Sequence, residues 1–174
     1  MSAEPRLQSA ADLGQAFDAA FAAPPRRPDP DPLDLLAIRL GQAPYAIRLS
    51  EISGLATRRK VVPLPCRTPE LLGLAGIRGS LVPVYGLAAL LGEESAHEGN
   101  RWLLLCGTRE PVALAFADLE GYLRVPRSDL LPADPARPQV HEVVRGPTVH
   151  AVVSIPAVME TIHERVGPAP AKER

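Results

Sequence analysis

Short apolar runs separated by glycine and proline fill the chain from Leu33 onward. Runs of this length between turn residues are typical of β-strands, because they fit a pleated and half-buried surface. The segments that the pattern predicts as strands are Leu33–Leu40, Tyr45–Leu49, Gly79–Tyr85, Trp102–Cys106, Pro111–Phe116, Gly121–Val125, Glu142–Val144 and Val149–Val153. Many short strands with few helices indicate an all-β barrel or sandwich.

Helical segments are few. Leu87–Leu91 predicts a single helical turn that Gly92 closes. Ser154 followed by Pro156 predicts the start of a terminal helix that runs to Val166, since serine is a favoured N-cap and proline is tolerated in the first turn.

Three other stretches contain too much proline or glycine for a central strand. Val61–Pro65 is predicted to be an edge strand or a loop, because proline cannot donate to a ladder. Pro126–Pro138 is predicted to be a loop. Gly73–Gly79 is predicted to be a tight structural turn rather than a phosphate-binding loop, since it does not follow a strand and open a long helix.

The beginning of the chain differs from the rest. It holds six prolines in its first 32 residues, and the run Pro24–Pro32 predicts a semi-rigid extended linker. Before the linker, Phe17 and Phe21 fall on one face of a short predicted helix. We therefore divide the chain into an N-terminal arm (1–32), a main domain (33–166) and a C-terminal tail (167–174).

Composition narrows the classes of function. The 174 residues are 46% hydrophobic and 22% charged, with a formal net charge of −1, as in an ordinary globular protein. This balance argues against broad electrostatic binding to nucleic acid. The chain has no apolar run long enough for a membrane span and no secretory signal at its start, so we expect a cytoplasmic protein that does not insert into membranes.

The residues that could carry catalysis do not form a recognisable set. The four histidines lack partners at metal-ligand spacing. Cys66, next to Arg67, is a possible nucleophile, but the sequence offers no general base for it. We therefore expect no enzyme, no metal and no cofactor.

The most informative segment surrounds Arg78, which stands two residues after Gly76 and directly before Gly79. Glycines allow the backbone to turn tightly and leave the arginine uncrowded. Arg78 is then either a solvated turn residue or an anchor presented to a partner, since arginine is enriched in interface hot spots.

This segment resembles the signature of CheW-like domains, the coupling proteins of chemotaxis. Ile77-Arg78-Gly79 and Val82-Pro83-Val84 match its two central elements, and the resemblance extends over most of Leu33–Val166. It implies a mainly β fold: two five-stranded SH3-like β-barrels that share a core, with short helices including a C-terminal one.

The resemblance also implies a function. It would be that of a non-catalytic adaptor between the cytoplasmic tip of a methyl-accepting chemoreceptor and the regulatory domain of a CheA-type histidine kinase. The implied receptor contacts are Arg78, Gly79, Leu49, Ile52 and Leu55. The last three could equally be core residues. An alternative is a β-barrel interaction module of another bacterial signalling or assembly system.

The chain departs from the family's pattern at four positions. Gly76 stands where the family usually has Asn, and Gly86 stands where it usually has Asp. Gly54 falls where an acidic residue is common, and Ser154 replaces Asp or Asn.

Overall fold

The computed structural model describes residues 31–57, 59–93, 101–107 and 110–166. The N-terminal helix predicted around Phe17 and Phe21, nearly all of the proline-rich linker and the C-terminal tail lie outside these residues. The division into arm, domain and tail therefore stays a prediction. No helix among the described residues is long and apolar enough to cross a membrane.

The described residues form a mainly β structure of two six-stranded sheets. The strands are β1 (Leu33–Leu40), β2 (Ala43–Arg48), β3 (Gly54–Thr57), β4 (Val61–Val62), β5 (Leu71–Ile77), β6 (Ser80–Gly86), β7 (Trp102–Cys106), β8 (Val112–Phe116), β9 (Asp118–Val125), β10 (Leu130–Pro132), β11 (Val140–Val144) and β12 (His150–Val153). Helices α1 (Leu87–Leu91) and α2 (Ile155–Val166) and two 3-10 helices, Leu49–Glu51 and Arg127–Asp129, complete it.

Both sheets are mixed. The strand order is β10-β11-β12-β2-β1-β9 in the first sheet and β3-β7-β8-β6-β5-β4 in the second. Neighbouring strands are antiparallel except β12 with β2 and β6 with β8, which are parallel. The predicted mainly β fold is confirmed, and each sheet has six strands where five were expected, because short segments such as β4 and β10 also pair.

Side-chain alternation divides the interior into three apolar clusters. The largest, here called the central core, contains residues of both sheets, such as Ile47 of β2 and Leu104, Leu114 and Phe116 of the second sheet. A second cluster lies on the other face of the second sheet and includes Leu105. A third belongs to the first sheet alone. Each sheet therefore buries both faces, which explains the continuous apolar runs of β7 and β8.

Both helices predicted in the main domain are confirmed. Gly92 ends α1 with a φ of 72°, a left-handed conformation that glycine adopts without penalty. At the start of α2, the backbone N–H of Ala157 donates to the Ser154 hydroxyl at 3.4 Å, and that of Ile155 donates to the Glu51 carboxylate at 2.8 Å. A side chain from far along the chain therefore completes the cap that Ser154 begins.

The interpretation of Gly73–Gly79 as a turn is wrong for most of its length. Residues up to Ile77 belong to β5, and only Arg78 and Gly79 form the turn into β6. Gly73 is needed at its position because its φ is 142° and the carbonyl of Val62 passes directly over its α-carbon. Pro126–Pro138 is likewise not all loop, since it contains β10 and a 3-10 helix.

Candidate functional site

The β5–β6 hairpin presents Arg78 at its tip. Ile77 pairs with Ser80, so the loop has two residues, Arg78 with a φ of 50° and Gly79 with a φ of 82°. Two consecutive left-handed residues are the mark of the type I′ hairpin turn, which favours Asn-Gly or Gly-Gly. Among the described residues Arg78 is the only non-glycine residue with a positive φ. This conformation costs a side chain with a β-carbon about 1 kcal/mol.

An open groove of about 320 Å³ lies beside the hairpin tip. Its walls come from the start of β3, from the hairpin and from the β7–β8 connection. The lining residues are Ser53, Ile77, Arg78, Ser80, Val82, Leu105, Gly107 and Pro111. The groove is thus mostly apolar, with two hydroxyls and a single cation in its lining.

Arg78 crosses the groove toward β3. A β-carbon added to Gly54 would lie 3.6 Å from the Arg78 guanidinium nitrogen Nη2 and 3.6 Å from Leu105 Cδ1. Ser53 fixes this part of the wall, because its backbone N–H and its hydroxyl donate to the Leu105 carbonyl at 2.8 and 3.0 Å. The guanidinium therefore lies over a glycine and against a wall that is firmly held.

Arg78 has no hydrogen bond or ion pair within the described residues, unlike many arginines of this protein. None of the described residues that line the groove carries a carboxylate. The arginine is exposed, so water solvates it in the isolated chain.

The structure places the three predicted apolar contacts on another surface. Leu49 and Ile52 are partly buried and pack against the central core. Leu55 is 37% exposed and pairs with Leu104, so it lies on the central-core face of β3. Gly54 pairs with Leu105 and lies on the opposite face, with Arg78.

The five predicted contact residues therefore form two neighbouring surfaces. One is the Arg78 groove, with Gly79 shaping its tip. The other is an apolar margin of the central core, formed by Leu49, Ile52 and Leu55. The short segment 49–57 joins them.

Charged contacts hold this segment in place. Arg48 pairs with Glu51 and with Glu142 of β11. Glu51 also accepts the hydrogen bond from Ile155 at the start of α2. The segment that joins the two surfaces is therefore tied to the first sheet and to the terminal helix.

A third exposed surface lies on the outer face of β4, β5 and β6. Leu74 pairs with Val62 on one side and with Pro83 on the other, so these three side chains share a face. Two residues further along β5, Gly76 pairs with Leu81, and this pair lies on the same face because side chains alternate along a strand. Leu81 is 74% exposed and Val62 is 53% exposed. We call this the outer hairpin face. The sequence pattern does not reveal this face, because the face depends on the pairing of β5 with β4 and β6.

The two cysteines lie in different surroundings. Cys66 is exposed, and its thiol lies near the carbonyl oxygens of Thr68 and Leu71. Cys106 is buried, and burial raises the pKa of its thiol to about 12. Within the described residues no cluster of His, Cys, Asp and Glu could hold a metal ion.

Comparison with known proteins identifies the family. The family model of the CheW-like domain matches residues 34–164, well over half of the chain. The chain belongs to the CheW-like domain family. This CheW-like family is one of non-catalytic scaffolding proteins in chemotaxis signalling.

A solved structure agrees in fold. The scaffolding protein TtCheW from Thermoanaerobacter tengcongensis superposes with a TM-score of 0.68 at 12% sequence identity, over 83% of this chain and 98% of that one. At this identity the likeness establishes the fold alone. No curated protein sequence matches the chain.

The structure shows the surroundings of three glycines that replace the family's usual residues. Gly86 precedes α1, and no side chain caps that helix, whereas an Asp there would accept hydrogen bonds from its first turn. Gly76 is exposed and has open space where a β-carbon would be. Gly54 matters most, because an acidic residue at this position would reach the Arg78 guanidinium.

Proposed function

We propose that this protein is a cytoplasmic adaptor that couples the tip of a methyl-accepting chemoreceptor to the regulatory domain of a CheA-type histidine kinase. Membership of the CheW-like family supports this assignment. The observation that carries the assignment to particular residues is Arg78, a strained arginine at the edge of an open groove, with no ion-pair partner in the part of the chain that the structure describes.

Backbone strain at Arg78 argues for a selected role. Glycine or asparagine would form the same turn at lower cost. Residues held in sparsely populated conformations cluster at binding and catalytic sites, where the rest of the fold over-determines them. We infer that the arginine at this position has a use that outweighs about 1 kcal/mol of stability.

The receptor would contact both surfaces of segment 49–57. A receptor helix laid along the central-core margin would cover Leu55 and the exposed parts of Leu49 and Ile52. Arg78 lies on the other face of β3. Because β3 is an edge strand, a partner that covers this edge would contact both surfaces. Gly79 contributes by allowing the turn that presents the arginine.

The kinase needs a different surface. The outer hairpin face is exposed and apolar, and it faces away from the groove because Leu81 and Val82 alternate along β6. We assign it to the regulatory domain of the kinase. Both partners could then bind at once on opposite faces of one hairpin, and a shift imposed by the receptor would reach the kinase through two paired strands.

The test uses titration calorimetry to ask whether two substitutions each weaken binding of one partner and spare the other. Arg78→Ala should weaken binding of the receptor-tip fragment about thirtyfold, the effect of losing a hot spot worth about 2 kcal/mol, and should leave kinase binding within twofold. Leu81→Glu should do the reverse. Leu81 is mostly exposed, so its replacement should change folding stability by less than about 0.5 kcal/mol.

Arg78→Gly is the matched control for folding. It removes the guanidinium and relieves the strained φ, so it should melt about 2–4 °C higher than the original chain while binding the receptor fragment poorly. Weak binding by a more stable variant cannot come from unfolding. Unchanged receptor affinity in both Arg78 variants would contradict the assignment of this residue.

A further inference from the structure

Among the described residues, Arg78 has no counter-charge, although a side chain at position 54 would lie close enough to supply one. Its guanidinium lies beside Gly54, at the distance where a side chain at position 54 would begin. None of the residues that line the groove is acidic. The groove therefore offers a cation and an empty volume next to it, with no carboxylate of the described chain to fill it.

We infer that the partner segment entering this groove carries a carboxylate that pairs with Arg78 above Gly54, beside an apolar side chain that packs against Val82 and Leu105. This inference rests on the proposed function and names the chemistry of its receptor contact. The partner's Asp or Glu would occupy the space that the missing side chain of Gly54 leaves open.

A carboxylate fits the groove better than other acceptors. The guanidinium presents donors in a planar fork that matches the two oxygens of a carboxylate. A phosphoryl group carries nearly two negative charges, whereas Arg78 is the one cation among the described residues of the lining. The lining is mostly aliphatic, from Ile77, Val82, Leu105 and Pro111, so an apolar neighbour of the acid gains contact area there.

Pairing across the groove would also make recognition selective. A partner without the acid would cover Arg78 and leave its guanidinium without an acceptor. The free-energy cost of this unpaired charge is larger than the net stabilisation that the ion pair provides, so it separates correct from incorrect partners. A CheW-like chain with an acid at position 54 would satisfy its arginine internally. This chain leaves that charge to the partner.

The structure allows the missing acid to be restored within the chain. A β-carbon at Gly54 meets its neighbours only at ordinary van der Waals distances, and the φ of Gly54 is not in the left-handed region. Gly54→Ala is therefore a steric control. Gly54→Glu adds the same β-carbon and a carboxylate that can reach Arg78, so it should compete with the partner's acid.

The experiment measures binding of a chemoreceptor cytoplasmic-tip fragment from the same organism by titration calorimetry. We expect Gly54→Glu to weaken binding at least tenfold and Gly54→Ala to change it less than twofold. Arg78→Glu should weaken binding more than Arg78→Ala does, because it sets two negative charges against each other. Arg145→Glu makes the same charge change at an exposed residue outside the groove and should have less than a twofold effect.

Thermal melts test the geometry without a partner. When Arg78 is present, Gly54→Glu should melt about 1–3 °C above Gly54→Ala, which is the effect of one exposed ion pair. When Arg78 is replaced by Ala, the Gly54→Glu chain should melt no higher than the Gly54→Ala chain. Absence of this Arg78-dependent difference would overturn the placement of the carboxylate.

The outcomes separate this inference from the proposed function. If Arg78→Ala weakens receptor binding but Gly54→Glu behaves like Gly54→Ala and Arg78→Glu behaves like Arg78→Ala, the carboxylate inference is wrong and the adaptor function stands. If the unaltered chain binds neither the receptor fragment nor the kinase regulatory domain, the proposed function fails and this inference fails with it.

Discussion

Gly73→Ala is the substitution for which the structure predicts the sharpest effect on stability. Gly73 has a φ of 142°, and a β-carbon added there would lie 2.0 Å from the carbonyl oxygen of Val62 and 2.6 Å from its carbonyl carbon. These are backbone atoms, so no side-chain rotation can relieve the overlap. Either β5 must change its backbone angles or β4 must move away.

The cost follows from these two routes. A residue with a β-carbon in this conformation is strained by about 1–3 kcal/mol, and overpacking against a fixed neighbour costs a similar amount. Detachment of β4 limits the total, because that strand has two residues and Val62 is already half exposed. We expect a loss of about 3 kcal/mol, which lowers the melting temperature by roughly 6–12 °C.

Gly76→Ala is the matched control on the same strand. A β-carbon at Gly76 meets nothing within 4 Å, and its φ is outside the left-handed region. This variant should stay within about 0.5 kcal/mol of the original chain. Urea unfolding followed by fluorescence of Trp102 compares the two. A difference of less than about 1 kcal/mol between them would refute the close approach of β4 and β5.

Three further predictions follow from other parts of the fold. The hydrogen bond from Tyr45, with a contribution from Arg137, lowers the pKa of the Glu93 carboxyl. The ionised Glu93 carboxylate therefore stabilises the fold at neutral pH, and this contribution is lost as pH falls below the ordinary pKa of 4.5. The difference in melting temperature between the original chain and Glu93→Gln should accordingly become smaller at acidic pH. Glu51→Gln should cost about 1–2 kcal/mol in urea unfolding, because it weakens both the cap of α2 and the pair with Arg48. Removal of residues 1–32 should leave the melting temperature nearly unchanged, because the proline-rich linker is predicted to separate the arm from the domain, and a fall of many degrees would show that the arm belongs to the core.

Much of the fold could be predicted because its apolar runs are bounded by strong turn residues. Trp102–Cys106 agrees with β7 at both ends, and α1 ends at the predicted glycine. β5 was missed because Gly73 and Gly76 break its strand pattern. Pairing with β6 on one side and β4 on the other, which local propensity does not reveal, makes it a strand.

The candidate site was predictable only at its tip. The glycines around Arg78 indicated a tight turn, and the structure adds the positive φ of the arginine. The groove could not be foreseen, since it needs β3 and its partner β7, which lie about fifty residues apart in sequence. Leu55 and Arg78 lie on different surfaces because side chains alternate between the two faces of β3, and the sequence pattern does not predict that strand.

The central claim is that this chain transmits a receptor's state to a kinase, and a reconstituted assay tests it most directly. Chemoreceptor in membranes and the CheA-type kinase are mixed with or without the chain, and kinase autophosphorylation is measured with and without attractant. We predict that the kinase responds to attractant only when the chain is present, and that Arg78→Ala abolishes the response although it still binds the kinase. A kinase that responds equally well without the chain would contradict the account.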